Sequence, residues 1–191
     1  MTHTDLTAHI QDRLRGPDET SPRILLAQAL LKGEHMDWIV QKATELGVYG
    51  IVPLITHRGV VRPQATRISG QVSRWQRIAL EAAQQSEQWH IPDIEPPCGS
   101  RQFFMEKVAP LKLMLVERAE GESFRTLPLD SDPQDTIVVA IGPEGGWSRD
   151  ELTVAGEQGF RSTTLGPGIL RSETASLAAL TMLQSRLGKL G

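Results

Sequence analysis

The sequence is short of cysteine and of long apolar runs, and both absences exclude classes of protein. Its single cysteine, Cys98, forms neither an internal disulfide nor a thiolate zinc site by itself. The five histidines show no ligand spacing, so no metal is predicted. The longest apolar runs, such as residues 137–141, fall far short of a membrane span, and residues 1–15 lack the apolar core of a secretory signal. A cytoplasmic protein without a membrane partner is therefore expected.

Basic charge is not in excess either, because 20 lysines and arginines stand against 23 acidic residues, for a net charge of −3. This balance excludes a uniformly basic nucleic-acid coat protein. The charge is nevertheless uneven, since residues 46–80 contain arginines at positions 58, 62, 67, 74 and 77 and no acidic residue. Such a segment suits contact with phosphates, and an ordinary solvated face is the alternative.

Segments with the periodicity of strands alternate with segments of helical periodicity from Arg23 onward. This alternation predicts an α/β domain with a mostly parallel sheet flanked by helices. Strands are predicted at residues 24–30 (alternatively a short helix), 51–55, 111–116, 137–141 and 160–165. Helices are predicted around residues 36–46, 72–86, 148–159 and 173–187.

Local signals refine this pattern. Pro53 indicates that the second strand lies near a sheet edge or that the proline lies near the strand end, because proline donates no backbone hydrogen bond. Ser148 with Glu151 three residues later is a capping-box signature, and Ser172 is predicted to cap the last helix. Of the tryptophans, Trp89 is a candidate for base stacking or an interface, and the others are predicted to pack in the core: Trp38, Trp75 and Trp147.

Two glycine-rich loops each follow a predicted strand: the first glycine loop (residues 142–146) and the second glycine loop (residues 165–168). Ligands in open parallel sheets bind at the carboxyl ends of strands, where glycines let the backbone approach closely. Neither loop has the dinucleotide fingerprint or the P-loop motif, which disfavours a nucleotide triphosphatase and a Rossmann dehydrogenase. Each loop alone is also explained by a tight turn. The two together in the C-terminal third favour a ligand site.

The motifs IGPEGGWSRDE (141–151) and LGPGILRSETA (165–175) resemble the paired C-terminal motifs of the bacterial 16S rRNA (uridine-N3) methyltransferases, the RsmE-type branch of the SPOUT class. Further upstream, WIVQKATELGV, IVPLITHR and RWQRIALEAAQQS occur in the family's order. The resemblance covers residues 23–191. It implies an S-adenosylmethionine-dependent enzyme that methylates N3 of a uridine in the small ribosomal subunit. It also implies a SPOUT-type fold with a C-terminal trefoil knot, and a homodimer.

Transfer of a methyl group from a sulfonium needs mainly positioning, but the N3 proton of the uridine must also leave. A nearby cation or general base would serve, so Arg171 and Glu173 are the candidate catalytic residues; charged residues at helix ends are also ordinary. The resemblance implies these cofactor-binding residues: Leu115, Glu117, Ile141, Gly142, Pro143, Glu144, Gly145, Gly146, Leu165, Gly166, Ile169, Leu170, Thr174 and Ala175. It makes RNA the partner, and the residues predicted to contact it are Lys42, Arg58, Arg62, Arg74 and Arg77.

The family also implies an N-terminal PUA-like β-barrel, and residues 1–22 are too few to form one. We interpret residues 1–22 as a short N-terminal segment, either a remnant of such a barrel or a natural start, and residues 23–191 as the methyltransferase domain. Three positions depart from the residues usual in the family: Gly59 replaces a serine, and Gln88 and Gly168 each replace an arginine. These departures favour one alternative, a non-catalytic RNA-binding module with the same fold. A SPOUT methyltransferase for another RNA position is a second alternative.

Overall fold

The structure, a computed structural model of the chain, describes residues 9, 11–13, 16, 22–117, 121–129, 132–133 and 135–190. Most of residues 1–22 lies outside the described residues, so the interpretation of that segment stays a prediction. The strands are β1 (Arg23–Ala29), β2 (Gly50–Ile55), β3 (Asp93–Ile94), β4 (Cys98–Gly99), β5 (Leu111–Leu115), β6 (Glu122–Ser123), β7 (Thr136–Ile141) and β8 (Arg161–Thr164). The helices are α1 (His35–Glu45), α2 (Ala65–Gln85), α3 (Ser100–Glu106), α4 (Arg149–Glu157) and α5 (Ser172–Arg186).

The strands form one eight-stranded sheet in the order β3-β2-β1-β7-β5-β8-β6, with β4 paired to the outer edge of β2. Every strand pairing among the described residues is parallel, so the predicted parallel α/β architecture is confirmed. The central strands β1 and β7 are mostly apolar, and all of their residues except the first of each are buried. Parallel sheets need this composition because helices cover both of their faces.

The two faces of the sheet bury separate apolar cores. Because side chains alternate along a strand, Leu26 of β1 points to one face and Ala27 to the other. Helices α1, α2 and α5 cover the first face, and α3 and α4 cover the second. Trp75 and Trp147 are buried as predicted, one in each core, whereas Trp38 is 40% exposed and does not pack as predicted.

Pro53 lies in β2, which is not an edge strand, because β1 pairs along one side and two dipeptide strands pair along the other. The outer pairings involve Gly50 and Ile51 with β3, then Leu54 and Ile55 with β4. Pro53 therefore lies at the break between β3 and β4, where no ladder hydrogen bond is required from its nitrogen.

The two predicted helix caps have different outcomes. The capping box of α4 is confirmed, since the Glu151 backbone N–H donates to Ser148 Oγ (3.3 Å) and the Ser148 N–H donates to the Glu151 carboxylate (2.8 Å). The prediction for Ser172 is wrong, because α5 begins at Ser172 itself and its N-cap residue, Arg171, makes no capping bond. The Ser172 hydroxyl donates instead to the carbonyl of Gly142 (2.6 Å), a partner distant in sequence.

None of the described helices is both long enough and apolar enough to cross a membrane. The trefoil knot implied by the resemblance stays a prediction.

Candidate active site

A cavity of about 620 Å³ lies at the carboxyl ends of β5, β7 and β8, which are neighbours in the sheet. Its volume is in the range of small-molecule sites, and its position is the one at which open parallel sheets bind ligands. Residues that follow β5 and β7, the second glycine loop and the first turn of α5 form its walls. The topology therefore brings both glycine loops to one site.

Most of the predicted cofactor residues line this cavity. Those that do are Leu115, Glu117, Ile141, Gly142, Pro143, Glu144, Gly145, Gly146, Leu165, Ile169, Leu170 and Ala175. Gly166 and Thr174 are not among the lining residues. The lining residues that the sequence interpretation did not place at the cofactor are Arg58, Val116, Trp147, Arg149, Leu152, Thr164, Gly168, Arg171 and Ser172.

Trp147 packs against the first glycine loop. Its indole N–H donates to the carbonyl of Leu115 (2.8 Å), and its ring meets Phe104 edge to face with the ring centroids 5.5 Å apart. A Cβ atom at Gly142 would lie 3.1 Å from the same indole. A larger residue at position 142 would therefore crowd the tryptophan and force the loop or the indole to shift.

The other side of the first glycine loop is in contact with charged side chains. Gly146 has a φ of +65°, which favours glycine, and a Cβ there would lie 3.2 Å from Glu117 Oε1. The guanidinium of Arg58 donates to the carbonyl of Gly145 (3.1 Å). The cavity rim therefore carries both signs of charge, from exposed side chains at Arg58, Glu117, Glu144, Arg149 and Arg171.

A buried polar network connects β1, the first glycine loop and α5. Gln28 is fully buried in β1, and its side-chain amide donates to Ser172 Oγ (3.0 Å) and to the carbonyl of Ala29 (3.0 Å). The hydroxyl of Ser176 donates to Gln28 Oε1, and that of Ser172 donates to Gly142. The network holds the first turn of α5 against the cavity. Sequence reasoning missed Gln28, although a glutamine inside an apolar strand is a recognisable signal.

Glu151 is only 3% exposed, and its carboxylate accepts three hydrogen bonds. The donors are Ser100 Oγ (2.6 Å), the Ser148 N–H (2.8 Å) and the His57 N–H (2.9 Å). Burial by itself raises the pKa of this carboxyl group, but the hydrogen bonds from Ser100, Ser148 and His57 outweigh it, so the pKa is lowered from its ordinary value. Glu151 is therefore a buried anion that joins three separate segments.

The two candidate catalytic residues lie on different surfaces. Arg171 is exposed and lines the cavity. Glu173 lies on an adjoining surface with Lys32, His35 and Trp38, and its carboxylate is 3.6 Å from His35 Nδ1. The start of α5 therefore forms the border between the cavity and this second surface.

The residues predicted to contact RNA have varied surroundings. Arg58 belongs to the cavity rim, and Arg62 donates to the carbonyl of His57 (3.0 Å). Arg74 is paired with Asp37, and Lys42 with Glu45. Arg77 is exposed on α2. Arg74 and Lys42 therefore each have a carboxylate neighbour that would compete with phosphate.

Residues 18–184 match the family model described as an RNA methyltransferase domain. The chain belongs to this RNA methyltransferase family. It is 37% identical over 175 residues to the ribosomal RNA small subunit methyltransferase E of Mesomycoplasma hyopneumoniae, covering 91% of this chain and 74% of that protein. It is 36% identical over 184 residues to the protein of the same name from Synechocystis, covering 95% of this chain and 59% of that one. The chain thus spans about three fifths of the Synechocystis relative.

Solved structures agree with this family assignment. A methyltransferase of Legionella pneumophila in complex with S-adenosylmethionine has a TM-score of 0.81 and 37% identity, over 86% of this chain and 66% of that chain. The methyltransferase E of Neisseria gonorrhoeae, also bound to S-adenosylmethionine, has a TM-score of 0.74 and 36% identity over the same shares. The predicted family and the predicted SPOUT-type α/β fold are thereby confirmed.

Proposed function

We propose that residues 23–191 form an S-adenosylmethionine-dependent methyltransferase domain that methylates N3 of a uridine in 16S rRNA. The observation that carries this proposal is the cavity, because both family motifs converge on it at the carboxyl ends of adjacent strands. The relatives named as small subunit rRNA methyltransferases, and the neighbours bound to S-adenosylmethionine, support the substrate and the cofactor.

The residues of the cavity fit S-adenosylmethionine. Apolar walls at Leu115, Ile141, Leu165 and Leu170 suit an adenine ring, and the first glycine loop offers backbone groups to polar atoms. The acidic and basic side chains of the rim match a ligand that carries a sulfonium, an ammonium and a carboxylate. When bound, the cofactor supplies a methyl group already activated by its sulfonium. The chain's own part is to position that group and to exclude water.

Arg171 is the proposed catalytic cation. Its exposed guanidinium on the cavity wall is suited to stabilise the negative charge that develops on the uridine as the N3 proton leaves. Glu173 is the proposed proton acceptor, and it lies beside His35 on the adjoining surface. We therefore propose that the base enters at the border between the two surfaces, where the start of α5 presents both residues.

We further propose that the domain acts as a homodimer in the cytoplasm and contacts RNA through Lys42, Arg58, Arg62, Arg74 and Arg77. The dimer proposal is supported by apolar side chains that remain exposed around the start of α5 and on α1. They are Trp38 (40%), Ile169 (58%) and Leu170 (41%). Exposed apolar side chains of this kind gain from burial against a second copy.

The test of the proposed function is mass spectrometry of 16S rRNA nucleosides from a strain that lacks the gene. We expect 3-methyluridine to disappear, and to return with the wild-type gene but not with Arg171→Ala. A matched control is Arg101→Ala, because Arg101 is exposed and paired with Asp150 away from the cavity lining. Unchanged 3-methyluridine in the deletion strain would contradict the substrate. If the protein still bound S-adenosylhomocysteine, that result would favour another RNA position or a non-catalytic role.

A further inference from the structure

Two segments distant in sequence meet at one rim of the cavity. One is the first glycine loop, and the other is the β2–α2 loop (residues 56–64). Arg58 connects them, since its guanidinium donates to the carbonyl of Gly145 (3.1 Å). Both residues are exposed, so water competes for this hydrogen bond and the bond holds the two loops only weakly. Another contact must therefore hold the β2–α2 loop in place.

Glu151 provides that contact. Its Oε1 accepts the backbone N–H of His57, the residue next to Arg58, at 2.9 Å. Its Oε2 accepts the backbone N–H of Ser148, two residues after the first glycine loop, at 2.8 Å. One buried carboxylate thus binds the backbone of the β2–α2 loop and the backbone just after the first glycine loop, close to the contact between Arg58 and Gly145. Hydrogen bonds from backbone N–H groups to a buried carboxylate are stronger than neutral ones and are shielded from water.

Helix capping accounts for only part of this arrangement. The capping box needs the Glu151 carboxylate only for the Ser148 N–H, and Oε2 makes that bond. The two bonds to Oε1 come from His57 and from Ser100 Oγ of α3, which lie outside α4 and its cap. We propose that Glu151 is a positioning residue of the cofactor site, which holds the β2–α2 loop so that Arg58 lies over the first glycine loop. This inference rests on the proposed function, because it concerns the same cavity.

The proposal predicts coupling between Glu151 and Arg58. Glu151→Gln keeps the size of the side chain but replaces one acceptor oxygen with an NH₂ group, which cannot accept, and removes the negative charge. The bond from the His57 N–H is therefore lost or weakened whichever way the amide is turned. If Glu151 acts through Arg58, each single variant loses the same contribution, that of Arg58 to cofactor affinity. The double variant then loses no more than the more severe single variant, which is the signature of two residues that act as a unit.

The experiment measures S-adenosylhomocysteine affinity by isothermal titration for the wild type, Glu151→Gln, Arg58→Ala and the double variant. We expect each single variant to bind about tenfold more weakly, and the double variant to bind about as weakly as the singles. Asp150→Asn is the matched control, because Asp150 is the neighbouring carboxylate, is exposed and pairs with Arg101. It is expected to bind within about twofold of the wild type. Losses that multiply to about a hundredfold in the double variant would overturn the proposal, as would wild-type affinity in Glu151→Gln.

Amide hydrogen exchange without ligand tests the contact independently of the cofactor. Glu151→Gln is expected to raise the exchange of the His57 amide and its neighbours in the β2–α2 loop, whereas Asp150→Asn leaves it unchanged. Unchanged exchange in Glu151→Gln would overturn the positioning role even if ligand affinity fell. Failure of the wild type to bind S-adenosylhomocysteine would instead contradict the proposed function, and the exchange result would still decide whether Glu151 holds the loop.

Discussion

Replacing Gln28 by methionine tests the buried network behind the cavity. Methionine keeps the length and much of the volume of glutamine but has no polar group that can replace its amide. The change removes the hydrogen bonds to Ala29 O, Ser172 Oγ and Ser176 Oγ. Each contributes about 1 kcal/mol net to stability. The two serine hydroxyls keep the carbonyls of Gly142 and Ser172 as acceptors, so neither is left without an acceptor.

The free energy of unfolding should therefore fall by about 2–3 kcal/mol. With a urea dependence of about 2 kcal/mol per M, the urea midpoint followed by tryptophan fluorescence should fall by about 1 M or slightly more. Ser176→Ala removes one of the three bonds and should cost about 1 kcal/mol. The double variant should be less stable than Gln28→Met alone by at most a few tenths of a kcal/mol, because both changes remove the same bond between Gln28 and Ser176. A loss below about 0.5 kcal/mol in Gln28→Met would refute the reasoning, since the network would then contribute nothing net.

Three further predictions concern acid stability, RNA binding and assembly. The folded pKa of Glu151 is lowered, so its contribution to stability is present above the ordinary carboxyl pKa and is lost as the pH falls through the folded value. The thermal midpoint should therefore drop on acidification below about pH 4.5, and it should drop less steeply in Glu151→Gln; equal slopes would contradict this. We expect weaker salt dependence of RNA binding when Arg58, Arg62, Arg74 and Arg77 are all changed to alanine, by about one unit of slope per lost phosphate contact. An unchanged slope would show that these arginines form an ordinary solvated face and do not contact RNA. Sedimentation at tens of micromolar should show a dimer, and a single species of 21.1 kDa would contradict the proposed homodimer.

Local sequence determined most of the secondary structure. The run Ile137–Ile141 specifies a strand because apolar β-branched residues suit a sheet covered on both faces, and β7 is that strand. The capping box at Ser148 follows from residues three positions apart, so no distant partner was needed to predict it. The family, too, could be predicted from the sequence, since its motifs are short continuous segments. The same segments supply most of the backbone that lines the cavity.

Only the tertiary structure decided which side chains meet. Ser172 satisfies the usual pattern of a helix cap, yet its hydroxyl is used by Gly142 and by Gln28, which is 144 positions away in sequence. Trp38 was predicted to pack in the core, but it lies outside the face of α1 that carries the buried residues Met36 and Ile39, and it is 40% exposed. Glu173 follows Arg171 closely in sequence, and the helical turn places it on the adjoining surface beside His35.

The contact between Glu151 and His57, 94 positions apart, is the clearest example. The sequence identified Glu151 as a cap, because capping depends on local spacing. Its second role depends on where β2 ends relative to α4, and that relation follows from the order of the strands in the sheet. Hydrophobic periodicity reports which face of an element is buried, but it does not report which elements are neighbours. Residues that join neighbouring elements therefore become visible only when the chain is folded.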